Sequence, residues 1–148
     1  STGTRTPVHP RRVQEAMAGE DNAIRWYRFL VDGGMSKKTV LVVDDEAALA
    51  DLFTRYLEDE FRVITAYDGL DAMDLIDESV DIVTLDLRMA GVTGGQFFTW
   101  MREEGYDCPV IVVSAINPIE ADLPLEPEEY LVKPISREQI LAAVREYA

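Results

Sequence analysis

The chain alternates between short unbroken apolar runs and longer stretches whose apolar positions recur every three or four residues. Thr39–Val43 is nearly all apolar and stops on Asp44 and Asp45. Residues 46–58 then place Leu49, Leu52, Phe53, Tyr56 and Leu57 at i, i+3, i+4, i+7 and i+8, the spacing of one helical face. Residues 61–65 predict a second strand, and Asp68-Gly69 turns the chain into a helix carrying Leu70, Met73 and Ile76. Residues 80–85 predict a third strand that stops on Asp86. Gly94-Gly95 precedes a helix with Phe97, Phe98 and Met101. Residues 109–113 predict a fourth strand, stopping on Ser114, and residues 130–132 a fifth, stopping on Lys133. Ser136 and Gln139 have capping-box spacing and open a last helix with Ile140, Leu141 and Val144 inward.

Strands that alternate with helices predict an α/β domain, a doubly wound five-stranded parallel sheet covered on both faces. Ligands of such sheets bind beyond the carboxyl ends of the strands, where strand order reverses. That edge collects Asp44, Asp45, Asp86, Ser114 and Lys133. Two carboxylates ~4 Å apart at an effective dielectric of ~20 repel by about 4 kcal/mol, so the Asp44-Asp45 pair calls for a cation. Three clustered carboxylates suit a hard divalent ion such as Mg²⁺. A carboxylate beside such an ion can attack a phosphoryl group, with an ammonium and a hydroxyl available for the transferred oxygens. Each residue taken singly also fits a plainer role, as a cap, a turn or a surface group. The joint pattern carries the chemical reading.

Composition narrows the classes. The chain has 148 residues, 47% of them apolar, which fits one packed domain. Its formal charge of -14 argues against binding to nucleic-acid phosphates as the main activity and suits a soluble, monomer-leaning protein or a salt-loving source. The charge is uneven. Residues 1–36 hold five Arg and four acids, a net of +1, and residues 37–148 hold nine basic and 24 acidic groups, a net of -15. This shift sets a boundary near Gly33-Gly34-Met35-Ser36, with Met35 as a possible start of the domain. Residues 1–36 are then an extension, tag or tail, either a weakly ordered arm or an aromatic docking segment around Trp26-Tyr27. Cys108 stands alone beside Pro109 and reads as a packing residue. Neither a membrane span nor a signal peptide is visible, so the expected location is the cytoplasm. His9 lies in a Pro-Arg context and reads as solvated, and no Walker-type phosphate loop is present.

Four stretches, VLVVDDE, DIVTLDLRMAGVTGGQFF, PVIVVSA and YLVKPIS, resemble the receiver domain of two-component response regulators, in the right order over residues 37–148. The resemblance implies a (βα)5 flavodoxin-like fold with Asp86 as phosphoacceptor. It implies Mg²⁺ held by Asp45 directly, Asp44 through water, Asp86, and the backbone carbonyl of Arg88. Ser114 and Lys133 match the hydroxyl and lysine that contact the phosphoryl oxygens, and Tyr130 matches the aromatic that changes rotamer on activation. Pro134 matches a Lys-Pro step that is often cis. A histidine kinase or phosphotransfer protein is the implied donor. The signal passes to a downstream protein target, or to an output domain missing here, since none follows the last predicted helix.

Two departures stand out. Ala90 and Thr93 replace the family's usual proline and second acid, which should alter loop rigidity more than chemistry. Pro118, Pro124 and Pro127 lie where the family has a full fourth helix, and proline inside a helix costs about 3 kcal/mol. A shortened or irregular fourth helix is expected, which puts the usual output surface in doubt. Three functions follow for comparison. The first is a phosphorylation-dependent signalling switch, which catalyses only its own phosphoryl transfer and dephosphorylation. The second is a receiver-shaped interaction module that does not switch. The third, an aspartyl-nucleophile phosphatase, wants an acid two residues after the nucleophile, where this chain has Arg88.

Overall fold

The computed structural model describes residues 37–148. The predicted features before residue 37, including Trp26-Tyr27, lie outside the described residues. Among the described residues five strands and five helices alternate: β1 (Thr39–Val43), α1 (Ala47–Leu57), β2 (Arg62–Ala66), α2 (Gly69–Leu75), β3 (Ile82–Leu85), α3 (Gly94–Glu103), β4 (Val110–Ser114), α4 (Pro118–Ala121), β5 (Glu129–Val132) and α5 (Arg137–Tyr147). All four strand pairings are parallel, in the order β2-β1-β3-β4-β5. The doubly wound sheet is therefore present as expected. From β1 the chain winds first to β2 on one side and then to β3 on the other. The crevice between the ends of β1 and β3 is the topological switch point.

The sheet separates two apolar layers. Alternate residues of each central strand serve opposite faces, as the two-residue period of a strand requires. Leu41, Val43, Val83, Leu85, Val110 and Val112 pack with α2 and α3 through Ala72, Phe97, Phe98 and Met101. Val40, Val42, Ile82, Ile111 and Val113 pack with α1 and α5 through Ala50, Phe53, Leu57, Ile140, Leu141 and Val144. Cys108 is buried in the first layer, in keeping with a packing role.

Several boundaries move by a residue or two. Glu46 and Glu58 flank α1 as caps, and β3 starts at Ile82, after the Val80 N–H has closed a turn on the Asp77 carbonyl. Helix α2 forms where expected, with Met73 packed against the first apolar layer. Leu70 points outward at 64% exposure, and the buried face is built from Gly69 and Ala72 with Ile76 just past the helix end. Gly69 itself touches the loop after β3, so the helix sits too close for a large residue on that side.

The fourth helix is reduced to the single turn α4, capped by the Asn117 side chain on the Ile119 N–H at 2.9 Å. Pro118 opens it, where the missing N–H costs no helical hydrogen bond. Asp122 ends it in the left-handed region at φ 46°. From there an irregular strap runs to β5 and sets Leu123 and Leu125 against the first apolar layer. The strap covers the layer there as a helical face does elsewhere.

Candidate functional site

Backbone hydrogen bonds carry the sheet into the site. The Asp44 N–H donates to the Ala66 carbonyl at 3.2 Å, the Asp86 N–H to Val43 at 3.0 Å, and the Lys133 N–H to Ser114 at 2.8 Å. The residues at the strand ends are thus held by strand-type bonds, which restrict where their side chains reach.

Asp44, Asp45 and Asp86 each offer a carboxylate oxygen, and these atoms lie within 4.8 Å of one another. Their surroundings differ. Asp44 and Asp86 are buried, whereas Asp45 is exposed. Asp44 Oδ1 accepts the Glu46 N–H at 2.9 Å, and Asp45 Oδ2 accepts the Ala90 N–H at 3.4 Å. The Lys133 ammonium lies 2.8 Å from Asp44 Oδ2 and 3.6 Å from Asp86 Oδ2. Asp86 Oδ1 accepts the Arg88 N–H at 3.4 Å, and the Arg88 side chain itself is exposed.

Burial, reinforced by the neighbouring charge of Asp44, pushes the Asp86 carboxyl up to about 6, against the opposing pull of Lys133 and the Arg88 N–H. One ammonium shared between two buried carboxylates leaves net negative charge in a low-dielectric pocket. Three hard oxygen donors at this separation suit a divalent cation of the Mg²⁺ class, which takes few protein oxygens and keeps water in its shell. The donor set therefore fits the ion that the sequence implied.

Ser114 and Tyr130 form a second group behind the carboxylates. Ser114 is fully buried at the end of β4, and its Oγ accepts the Ile116 N–H at 3.1 Å. The Tyr130 hydroxyl donates to the Ile116 carbonyl at 2.6 Å. Burial raises the Tyr130 phenol, a hydrogen bond with Ser114 lowers it, and the charge of Asp86 raises it again. The peptide units around Ile116 thus link the two residues, and this link has no signature in side-chain identity. The Lys133-Pro134 bond is cis.

A helix cap stands beside the site. Thr93 and Gln96 form a capping box at the start of α3, with Gln96 N–H to Thr93 Oγ1 at 3.1 Å and Thr93 N–H to Gln96 Oε1 at 2.9 Å. The spacing is that of Ser136 and Gln139, which cap α5 in the same way. The residue standing in for the family's second acid is therefore a helix cap.

Residues 40–145 match the family model of the response regulator receiver domain. A putative transcriptional regulator from Haloferax volcanii is 40% identical over 112 residues, a match that spans 75% of this chain and 19% of that protein's length. A CheY-like receiver domain protein from Methanospirillum hungatei superposes with a TM-score of 0.69 at 21% identity, over 75% of this chain and 93% of that one, a likeness of fold. A response regulator from Thermotoga maritima, solved in complex with Mg²⁺-BeF, superposes with a TM-score of 0.67 at 28% identity, over 75% of this chain and 99% of that one. Among the described residues no helix is long and apolar enough to cross a membrane. The motifs at four strand ends, the sheet order and the match over residues 40–145 agree, and the chain belongs to the response regulator receiver domain family, whose members serve phosphorylation-based two-component signalling.

Proposed function

We propose that this domain is a phosphorylation-dependent switch in which Asp86 accepts a phosphoryl group from a histidine kinase or a phosphotransfer protein. The observation that carries the reading is the buried Asp86 carboxylate with Asp44, Asp45 and the Lys133 ammonium gathered around it. Asp45, Asp86 and the Arg88 backbone carbonyl would hold Mg²⁺, with Asp44 acting through water. The ion supplies positive charge against the carboxylates and the incoming phosphoryl oxygens.

An Asp86 carboxylate oxygen forms the new bond to phosphorus as the bond from phosphorus to the donor histidine nitrogen breaks. The electron pair leaves with the imidazole. Lys133 and Ser114 each meet a phosphoryl oxygen and offset the charge that builds there. Ser114 Oγ gives up the Ile116 N–H to do so, and Tyr130, bonded to the same residue, is released to change rotamer. Water attack on the acyl phosphate restores the starting state. The domain acts on its own aspartate, so it signals rather than turning over a substrate. The signal goes to a protein target or to an output domain of a longer chain, in keeping with the larger size of the Haloferax relative. The acidity of the domain argues against direct binding to nucleic acid.

The reduction of α4 to one turn favours a second reading, an interaction module that keeps the fold without switching. Intact mass after incubation with Mg²⁺ and acetyl phosphate separates the two. A gain of one phosphoryl group in the wild type and none in Asp86→Asn is expected of the switch. No gain in a wild type that binds Mg²⁺ and is offered its kinase would favour the module.

A further inference from the structure

The loop of residues 86–93 joins the end of β3 to α3 and touches the carboxylates twice, through the Arg88 N–H on Asp86 and the Ala90 N–H on Asp45. Both of its ends meet a glycine. Gly94 opens α3 and donates its N–H to the Leu87 carbonyl at 3.0 Å. A Cβ placed on Gly94 would lie 2.6 Å from Leu87 Cα and would overlap the Asp86 carbonyl oxygen. Gly69 opens α2. A Cβ there would lie 2.6 Å from Val92 Cβ and 2.7 Å from the Val92 carbonyl oxygen. These obstacles are backbone and the stiff root of a β-branched side chain, which cannot swing aside as a flexible side-chain end would. Gly95 is the internal contrast, because a Cβ there would meet Leu123 Cδ2 at 3.7 Å, an ordinary contact.

The turn that presents Gly69 is itself fixed. Asp68 Oδ1 accepts the Asp71 N–H at 2.7 Å, and the Tyr67 N–H donates to Asp71 Oδ2 at 3.0 Å. The Tyr67 hydroxyl donates to Asp51 Oδ1 on α1 at 2.6 Å. A rigid turn pressed against Val92 on one side and α3 pressed against Asp86-Leu87 on the other leave the loop little room. We propose that Gly69 and Gly94 are positioning residues for the Asp86 site, because their missing side chains let α2 and α3 close on the loop that aims Asp86 and the Arg88 peptide. The proposal rests on the reading of Asp86 as phosphoacceptor and Mg²⁺ ligand.

The test compares Gly69→Ala, Gly94→Ala and Gly95→Ala with the wild type in the same domain. Amide chemical shifts are recorded first, then Mg²⁺ affinity from those shifts, then the rate of phosphorylation by acetyl phosphate. Gly69→Ala is expected to stay folded and to move the amides of residues 67–73 and 86–94. It should weaken Mg²⁺ and slow phosphorylation by about tenfold, since a misplacement near 1 Å can cost up to about 100-fold. Gly95→Ala should match the wild type in both and melt no lower. If Gly94→Ala fails to fold, Gly69→Ala carries the test alone. Wild-type Mg²⁺ affinity and rate in Gly69→Ala, or an equal loss in Gly95→Ala, would overturn the proposal. A wild type that neither binds Mg²⁺ nor takes a phosphoryl group would overturn the reading of Asp86. The clamp would then stand or fall on whether the Gly69→Ala shifts centre on residues 86–94.

Discussion

Asp86 is held at about 6 because its carboxyl is buried and faces the charge of Asp44. A carboxyl raised above its unfolded value of about 3.9 adds stability that is fully present below that value and is lost as pH rises through the folded one. Without Mg²⁺, the melting temperature of the wild type should therefore fall relative to Asp86→Asn as pH rises through about 6. A difference between the two that stays flat over that range would contradict the electrostatic account. Adding Mg²⁺ should raise the wild-type melting temperature more at pH 7.5 than at pH 5, tracking ionisation of the Asp86 carboxyl. Lys133 belongs to the same balance. Lys133→Ala removes the ammonium from 2.8 Å of Asp44 and should slow phosphorylation by about 100-fold, the scale of losing one charge-stabilising donor. These site residues were legible because each one ends a strand, and the strand ends are marked by abrupt changes from apolar to polar. The Ile116 bridge between Ser114 and Tyr130 was not legible, because it uses peptide groups that every residue carries.

At the scale of elements, capping decides where helices begin near the site. Thr93→Ala removes the acceptor for the Gln96 N–H and should cost about 1 kcal/mol in chemical denaturation, with Ser136→Ala similar at α5. Only the first lies beside the Asp86 loop, so Thr93→Ala should also lower Mg²⁺ affinity, whereas Ser136→Ala should leave it unchanged. An equal effect of both on the metal would separate the cap from the site. The strong periodicity of α1, α3 and α5 and the unbroken apolar strands made those elements readable from residue pattern alone. Periodicity alone does not show that Leu70 faces outward or that Gly69 lies so close to Val92. The three prolines did reveal that the fourth helix would be short. They did not reveal how Leu123 and Leu125 take its place in the core.

The whole molecule carries a net charge of -14, and its described domain is more acidic than residues 1–36. Self-repulsion of this kind is screened by salt, as the Debye length falls from about 10 Å at 0.1 M to about 3 Å at 1 M. The melting temperature should rise over that range, and a flat response would show that the acids are already neutralised by local pairing. The parallel sheet organises this charge for use, since the switch point between β1 and β3 brings Asp44 and Asp86 together from positions 42 residues apart in the chain. This meeting point is the proposed phosphoacceptor site. Borohydride reduction of the acyl phosphate converts the modified aspartate to homoserine, so peptide mapping after acetyl phosphate treatment reads the position directly. Conversion at Asp86 alone, dependent on Mg²⁺, is the predicted result. Conversion at Asp44, Asp45 or any other acid, or none in a domain whose amide shifts respond to Mg²⁺ and which has been given a competent kinase, would contradict it.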